Sequence, residues 1–118
     1  EIALISDGGL VPKGNPDGLA RRSNLKWGAY DIEALFREYE VTHAGYFNDH
    51  VLERPDRLVP VDIMRELAKE GKIGKLHRLF FSTSGCTTVS KRCGEMCQEM
   101  GAGMKKGGIV GAAILTST

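Results

Sequence analysis

Apolar residues along this chain gather into short runs and into stretches of helical period, and the two kinds alternate. Ile2 to Ser6 is an apolar run stopped by Asp7-Gly8-Gly9, the pattern of a buried strand ending at a turn. Leu10 to Arg22 holds Pro12, Gly14, Asn15, Pro16 and Gly18 and reads as a loop, long for a small domain. Asp31 stands where it would cap a weakly amphipathic helix over Ile32 to Tyr39, and Tyr39 to Tyr46 reads as a second strand. Phe47 to Pro60 is another loop. Asp62 is placed to cap the clearest short helix, with an apolar face of Ile63, Met64, Leu67 and Ala68 and with Gly71 suited to its end. Ile73 to His77 adds a turn, Leu79 to Thr83 is a third strand, and Ser84 to Thr88 turns about Gly85. Val89, Cys93, Met96, Cys97, Met100 and Met104 then recur at spacings of three and four, which marks one face of a long helix. Gly94, Gly101 and Gly103 each weaken that helix by up to ~1 kcal/mol against alanine, so packing must support it. Gly107 and Gly108 end it, and Ala112 to Thr116 is a fourth strand.

Alternation of strand and helix predicts an α/β fold: a largely parallel sheet with covering helices, an incomplete Rossmann-like or doubly wound domain. Residues 1–118 read as one such domain or half-domain, because the last strand has no helix after it to cover it. Ligands on sheets of this kind bind beyond the carboxyl ends of the strands. Those ends carry Asp7-Gly8-Gly9, His43 to Tyr46, Ser82 to Thr88 and Thr116-Ser117-Thr118, and the last is expected to be exposed or to cross an interface.

Composition narrows the function classes. The 118 residues are 42% hydrophobic and 26% charged, ordinary for one globular domain. A net charge of +1 supplies no field for nucleic acid or anionic lipid. No apolar run approaches the roughly 20 residues of a membrane span, and the start lacks the layout of a secretory signal. Glu1 is not a start methionine, so a processed or trimmed product is expected. Three cysteines, an odd and low number, argue against a secreted disulfide framework and for a reducing cytoplasm.

Each candidate residue has a sharp and a bland reading. Asp7, Gly8 and Gly9 either position a substrate or close a tight turn; the spacing does not match a dinucleotide fingerprint. Ser84, Gly85, Thr87 and Thr88 precede a helix, where hydroxyls and N–H groups suit an anion such as a carboxylate, or where Thr87 or Thr88 simply caps the helix. Cys86 lies near the same helix start and is either a reactive thiol or a small buried residue. Cys93 and Cys97 lack the further ligands a metal site needs and read as core, as do the methionines. No metal is expected. His43, at a predicted strand end, is a better site candidate than His77.

Four stretches resemble one family: Asp7-Gly8-Gly9-Leu10-Val11-Pro12-Lys13-Gly14-Asn15-Pro16-Asp17; His43-Ala44-Gly45-Tyr46; Arg57-Leu58-Val59-Pro60-Val61-Asp62 with its continuation through His77; and Ala113-Ile114-Leu115-Thr116-Ser117-Thr118. Together they resemble the selenoprotein B subunit of the glycine, sarcosine and betaine reductases, more closely than the related D-proline reductase selenoprotein. In that family the last stretch is followed at once by selenocysteine, so the resemblance implies a chain that stops before its redox centre. It further implies a substrate amine held by a pyruvoyl group on a partner subunit, reductive cleavage of its C–N bond, and transfer to selenoprotein A as a second partner. No cofactor is implied on this chain itself. The substrate-binding candidates, taken from the predicted strand ends, are Asp7, Gly8, Gly9, His43, Ser84, Gly85, Thr87, Thr88, Thr116 and Ser117. Gly85-Cys86-Thr87-Thr88 departs from the family's Gly-Asn-Gly-Thr-like turn, and Cys93, Gly94 and Cys97 are further departures. The alternatives to an enzyme component are a non-catalytic binding scaffold and a thiol redox protein using Cys86.

Overall fold

The computed structural model describes residues 1–35, 37–108 and 111–118. Its central sheet is mixed but mostly parallel. Strand β1 (Ile2–Ser6) lies between β5 (Leu76–Thr83) and β6 (Ala112–Thr116) and is parallel to both. Strand β3 (Trp27–Asp31) adds to the outer side of β5 and runs antiparallel to it. The expected α/β class holds, with one strand reversed. An antiparallel edge strand on an otherwise parallel sheet is common in such folds.

Side chains along the central strands alternate between two cores, because successive residues of a strand point to opposite faces. Leu4, Phe80 and Tyr30 face one way, against Met64 of helix α3 (Val61–Lys69). Ala3 and Phe81 face the other, against Met96, Met100 and Met104 of helix α4 (Ser90–Lys106). The two helices therefore cover opposite faces.

Several sequence expectations need correction. Leu10 to Arg22 is not all loop: Leu10–Pro12 forms β2, which pairs antiparallel with β4 (Tyr39–Val41) in a separate two-stranded sheet. The expected strand over Tyr39 to Tyr46 thus ends at Val41 and lies outside the central sheet. The helix expected over Ile32 to Tyr39 is α1 (Ile32–Leu35); Phe36, within that stretch, lies outside the described residues. Its cap is as expected, with the Asp31 carboxylate accepting the N–H groups of Glu33 (2.9 Å) and Ala34 (3.3 Å). The loop over Phe47 to Pro60 contains α2 (Asp49–Glu53) and a 3-10 turn at Pro55–Arg57.

Asp62 does not cap α3. Its own N–H donates to Asp56 Oδ1 at 2.8 Å, so the carboxylate at the helix start belongs to Asp56. Ile63 is 51% exposed, and Val61 with Met64 forms the buried stripe instead. Gly71 (φ +73°) follows the helix in the left-handed conformation expected there. Among the described residues no helix is long and apolar enough to cross a membrane.

Candidate functional site

Parallel pairing puts the carboxyl ends of β5, β1 and β6 side by side, and the three segments that leave them are joined around Asp7. The Asp7 N–H donates to the Thr116 carbonyl (3.3 Å), and the Gly85 N–H donates to the Asp7 carbonyl (2.9 Å). The Ser117 hydroxyl donates to Asp7 Oδ2 at 2.9 Å. Asp7 Oδ1 is buried and, among the described residues, has no hydrogen-bond partner. Gly85 is needed in this packing, since a Cβ there would stand 2.9 Å from Asp7 Oδ2.

Gly8 and Gly9 carry the chain between the two sheets. Gly8 bridges to Ser84, and its N–H donates to the buried Ser6 hydroxyl. Gly9 donates to the Thr83 carbonyl (3.0 Å) and accepts from the Thr42 N–H (2.7 Å). That second bond brings the segment after β4 onto the site. His43 follows, 5% exposed, and its Nδ1 accepts the Gly45 N–H at 2.9 Å. An accepting Nδ1 fixes the neutral ring with its proton on Nε2. The Tyr46 ring packs edge-on against His43 at 5.1 Å, and its hydroxyl donates to the Gly8 carbonyl (3.0 Å).

Burial, and secondarily the Arg22 charge, lower the His43 pKa, while the Asp7 carboxylate opposes them. Burial, with the Asp7 charge, pushes the Tyr46 phenol up to about 12. Protonating His43 removes the acceptor that holds Gly45. The sign follows: a folded pKa below the unfolded value near 6.5 means that the unfolded chain binds the proton first. His43 therefore contributes stability above that value and loses it as pH falls toward the folded pKa. Denaturant midpoints measured from neutral to mildly acid pH are expected to fall less in His43→Gln than in the wild type. Parallel curves would contradict this.

Cys86 is 8% exposed, and Arg22 Nη1 lies 3.8 Å from its sulfur. Burial favours the bland reading over a reactive thiol. Neither Thr87 nor Thr88 caps α4. The Thr87 hydroxyl oxygen accepts the Ser23 N–H (3.1 Å), and the Thr88 hydroxyl reaches the carbonyls of Asn24 and Ser84. Val89 occupies the cap position of α4 without a side-chain bond. The buried Ser84 hydroxyl lies 3.5 Å from the Arg21 carbonyl. The turn expected to receive an anion is thus spent on holding residues 21–24, and the charge beside it is the Asp7 carboxylate. Thr116 Oγ1 bonds the Ile5 carbonyl (3.4 Å), and His77 pairs with Glu1 (2.8 Å).

A cleft of about 320 Å³ opens from Asp7, Ser84 and Gly85 and runs between α4 and the sheet, past Met96 and Met100 to Leu115. Cys93 and Cys97 line it. They are not core as expected: Cys93 is half-buried and Cys97 is exposed. Arg22 and Asn24 carried no sequence signal for the site, since only the folded loops bring them beside Cys86 and Thr88.

The family described as "Glycine/sarcosine/betaine reductase selenoprotein B" matches residues 1–118. The chain is 40% identical over 122 residues to "Glycine reductase complex component B subunit gamma" of Peptoclostridium litorale, covering 100% of this chain and 28% of that protein. It is 40% identical over 121 residues to "Betaine reductase complex component B subunit beta" of Peptoclostridium acidaminophilum, covering 99% and 28%. It is 35% identical over 122 residues to "Sarcosine reductase complex component B subunit beta" of the same organism, covering 100% and 28%. The chain thus spans 28% of the length of these curated relatives. No solved structure matches.

Proposed function

Because this chain belongs to the glycine/sarcosine/betaine reductase selenoprotein B family, we propose that it builds the floor of the B-component site of a selenium-dependent reductase, one that reductively cleaves the C–N bond of glycine, sarcosine or betaine. Asp7 carries this reading. A buried carboxylate oxygen without a partner is costly, and a ligand that brings an N–H or a cationic nitrogen relieves that cost. Glycine, sarcosine and betaine each carry a cationic nitrogen.

The family's selenocysteine would follow Thr118, at the strand end that Ser117 ties to Asp7. A selenol supplies there a nucleophile that, like a low-pKa thiolate, is ionised at neutral pH. The residues of this chain bind and orient: Asp7 accepts through Oδ1, Ser117 holds its other oxygen, and His43 keeps its proton on Nε2. The pyruvoyl-bearing subunit and selenoprotein A are the partners in this reading. Phe47, 78% exposed beside Tyr46, gives them an apolar contact. Free thiols fit a cytoplasmic setting.

The intact protein, made with selenium and combined with its partner subunits and a reductant, is expected to release ammonia from glycine, methylamine from sarcosine or trimethylamine from betaine. The amine that appears identifies the substrate. No amine from any of the three would overturn the proposal.

A further inference from the structure

Cys93 and Cys97 have no part in the reductase reading, yet both open into the cleft under α4. They stand one helical turn apart. Residues four apart on a helix keep their Cβ atoms about 5–6 Å from each other, beyond the roughly 3.5–4.5 Å that a disulfide tolerates. Helix α4 runs continuously from Ser90 to Lys106 through both positions. The pair therefore stays a dithiol instead of closing on itself.

A bridging atom changes that geometry. Metal–thiolate bonds of about 2.3 Å let one ion span sulfurs up to roughly 4.6 Å apart, which side chains at this spacing present without unwinding the helix. Met100, three residues beyond Cys97 and lining the same cleft, offers a thioether as a third donor. The Met96 sulfur already takes the Thr83 hydroxyl at 3.7 Å. Among the described residues no group of three His, Cys, Asp or Glu could hold a metal, which removes a zinc-type ligand set. Two thiolates with a thioether make a soft set of the kind that selects Cu(I). Asp7 lines the other end of the cleft and adds a charge that favours a cation.

We propose that Cys93 and Cys97, with Met100, form a chelating site for a soft thiophilic cation of the Cu(I) class. The site goes beyond the reductase reading and does not depend on it.

The test is an anaerobic titration of the purified, reduced protein with Cu(I) supplied as a chromophoric chelate. Cys97→Ser is expected to lower uptake by one equivalent, or to weaken it by more than the roughly 10- to 100-fold that losing an outer-shell partner costs. Cys93→Ser behaves the same way, Met100→Leu loses less, and Cys86→Ser binds as the wild type does. Cys97 is exposed, so its serine variant keeps the core, and circular dichroism checks that. Equal uptake by the wild type and Cys97→Ser overturns the site. So does a Cys93–Cys97 disulfide found by mass spectrometry after mild oxidation, because it removes the geometric premise.

Discussion

Asp7→Asn is expected to lower amine release by the reconstituted reductase about 100-fold, the scale set by removing one preorganised electrostatic contact from a reacting centre. The substitution keeps the size of the side chain and an oxygen for the Ser117 hydroxyl. It removes the charge and places an NH₂ group where the carboxylate had a buried oxygen without a partner. The backbone bonds to Thr116 and Gly85 do not involve the side chain, so the fold should hold. Initial rates with each substrate, beside a denaturant midpoint, separate the two effects. A variant that keeps its rate removes Asp7 from the site; one that loses rate and fold together shows a structural role alone. Ser117→Ala, which frees Asp7 Oδ2 and keeps the charge, should cost less.

Gly9→Ala is expected to destabilise the protein by about 3 kcal/mol or more, at the upper end of single substitutions. Gly9 has φ +74°, a conformation that costs alanine about 1–2 kcal/mol. An added Cβ would also stand 2.7 Å from the Thr42 carbonyl oxygen and 2.8 Å from its carbon. These are backbone atoms, held by the bond from Thr42 N–H to Gly9, and they cannot swing aside. Gly14→Ala is the control: φ is +88°, yet nothing lies within 4 Å of the added methyl, so only the conformational cost remains. Urea unfolding of the two variants should differ by the clash. Equal losses would mean that the β4 segment moves away freely.

Helix α4 and strand β1 were legible because each has an unbroken period and packs into a core. β6 was legible from its apolar run although none of its residues is buried; β5 begins at Leu76, inside the stretch expected to turn, rather than at Leu79. The turn over Asp7-Gly8-Gly9 was legible from its glycines. Strand β3 was not, because Trp27 faces the methionines of α4 while Tyr30 faces the opposite core, so the segment shows no alternation of apolar and polar residues. Thr87 and Thr88 looked like caps because capping is local, whereas their partners Ser23 and Asn24 lie 64 residues away. Cys97 fell on the right helical face but at its rim. β6 sits at the outer side of the sheet, and Leu115 there is 66% exposed. Helical period fixes a direction but not how far the covered surface extends.

Folding order is a further consequence of β1 lying between β5 and β6. The Ser117 to Asp7 hydrogen bond joins residues 110 positions apart, and the Thr116 to Ile5 bond joins residues 111 apart. Such closures pay their chain entropy before any contact repays it, which slows assembly. During synthesis β1 emerges first and must wait, with both edges unpaired, until residues 76–83 and then 112–116 follow. Of these three strands β6 is thus the last to pair, and the waiting β1 is where misassembly with another chain would begin.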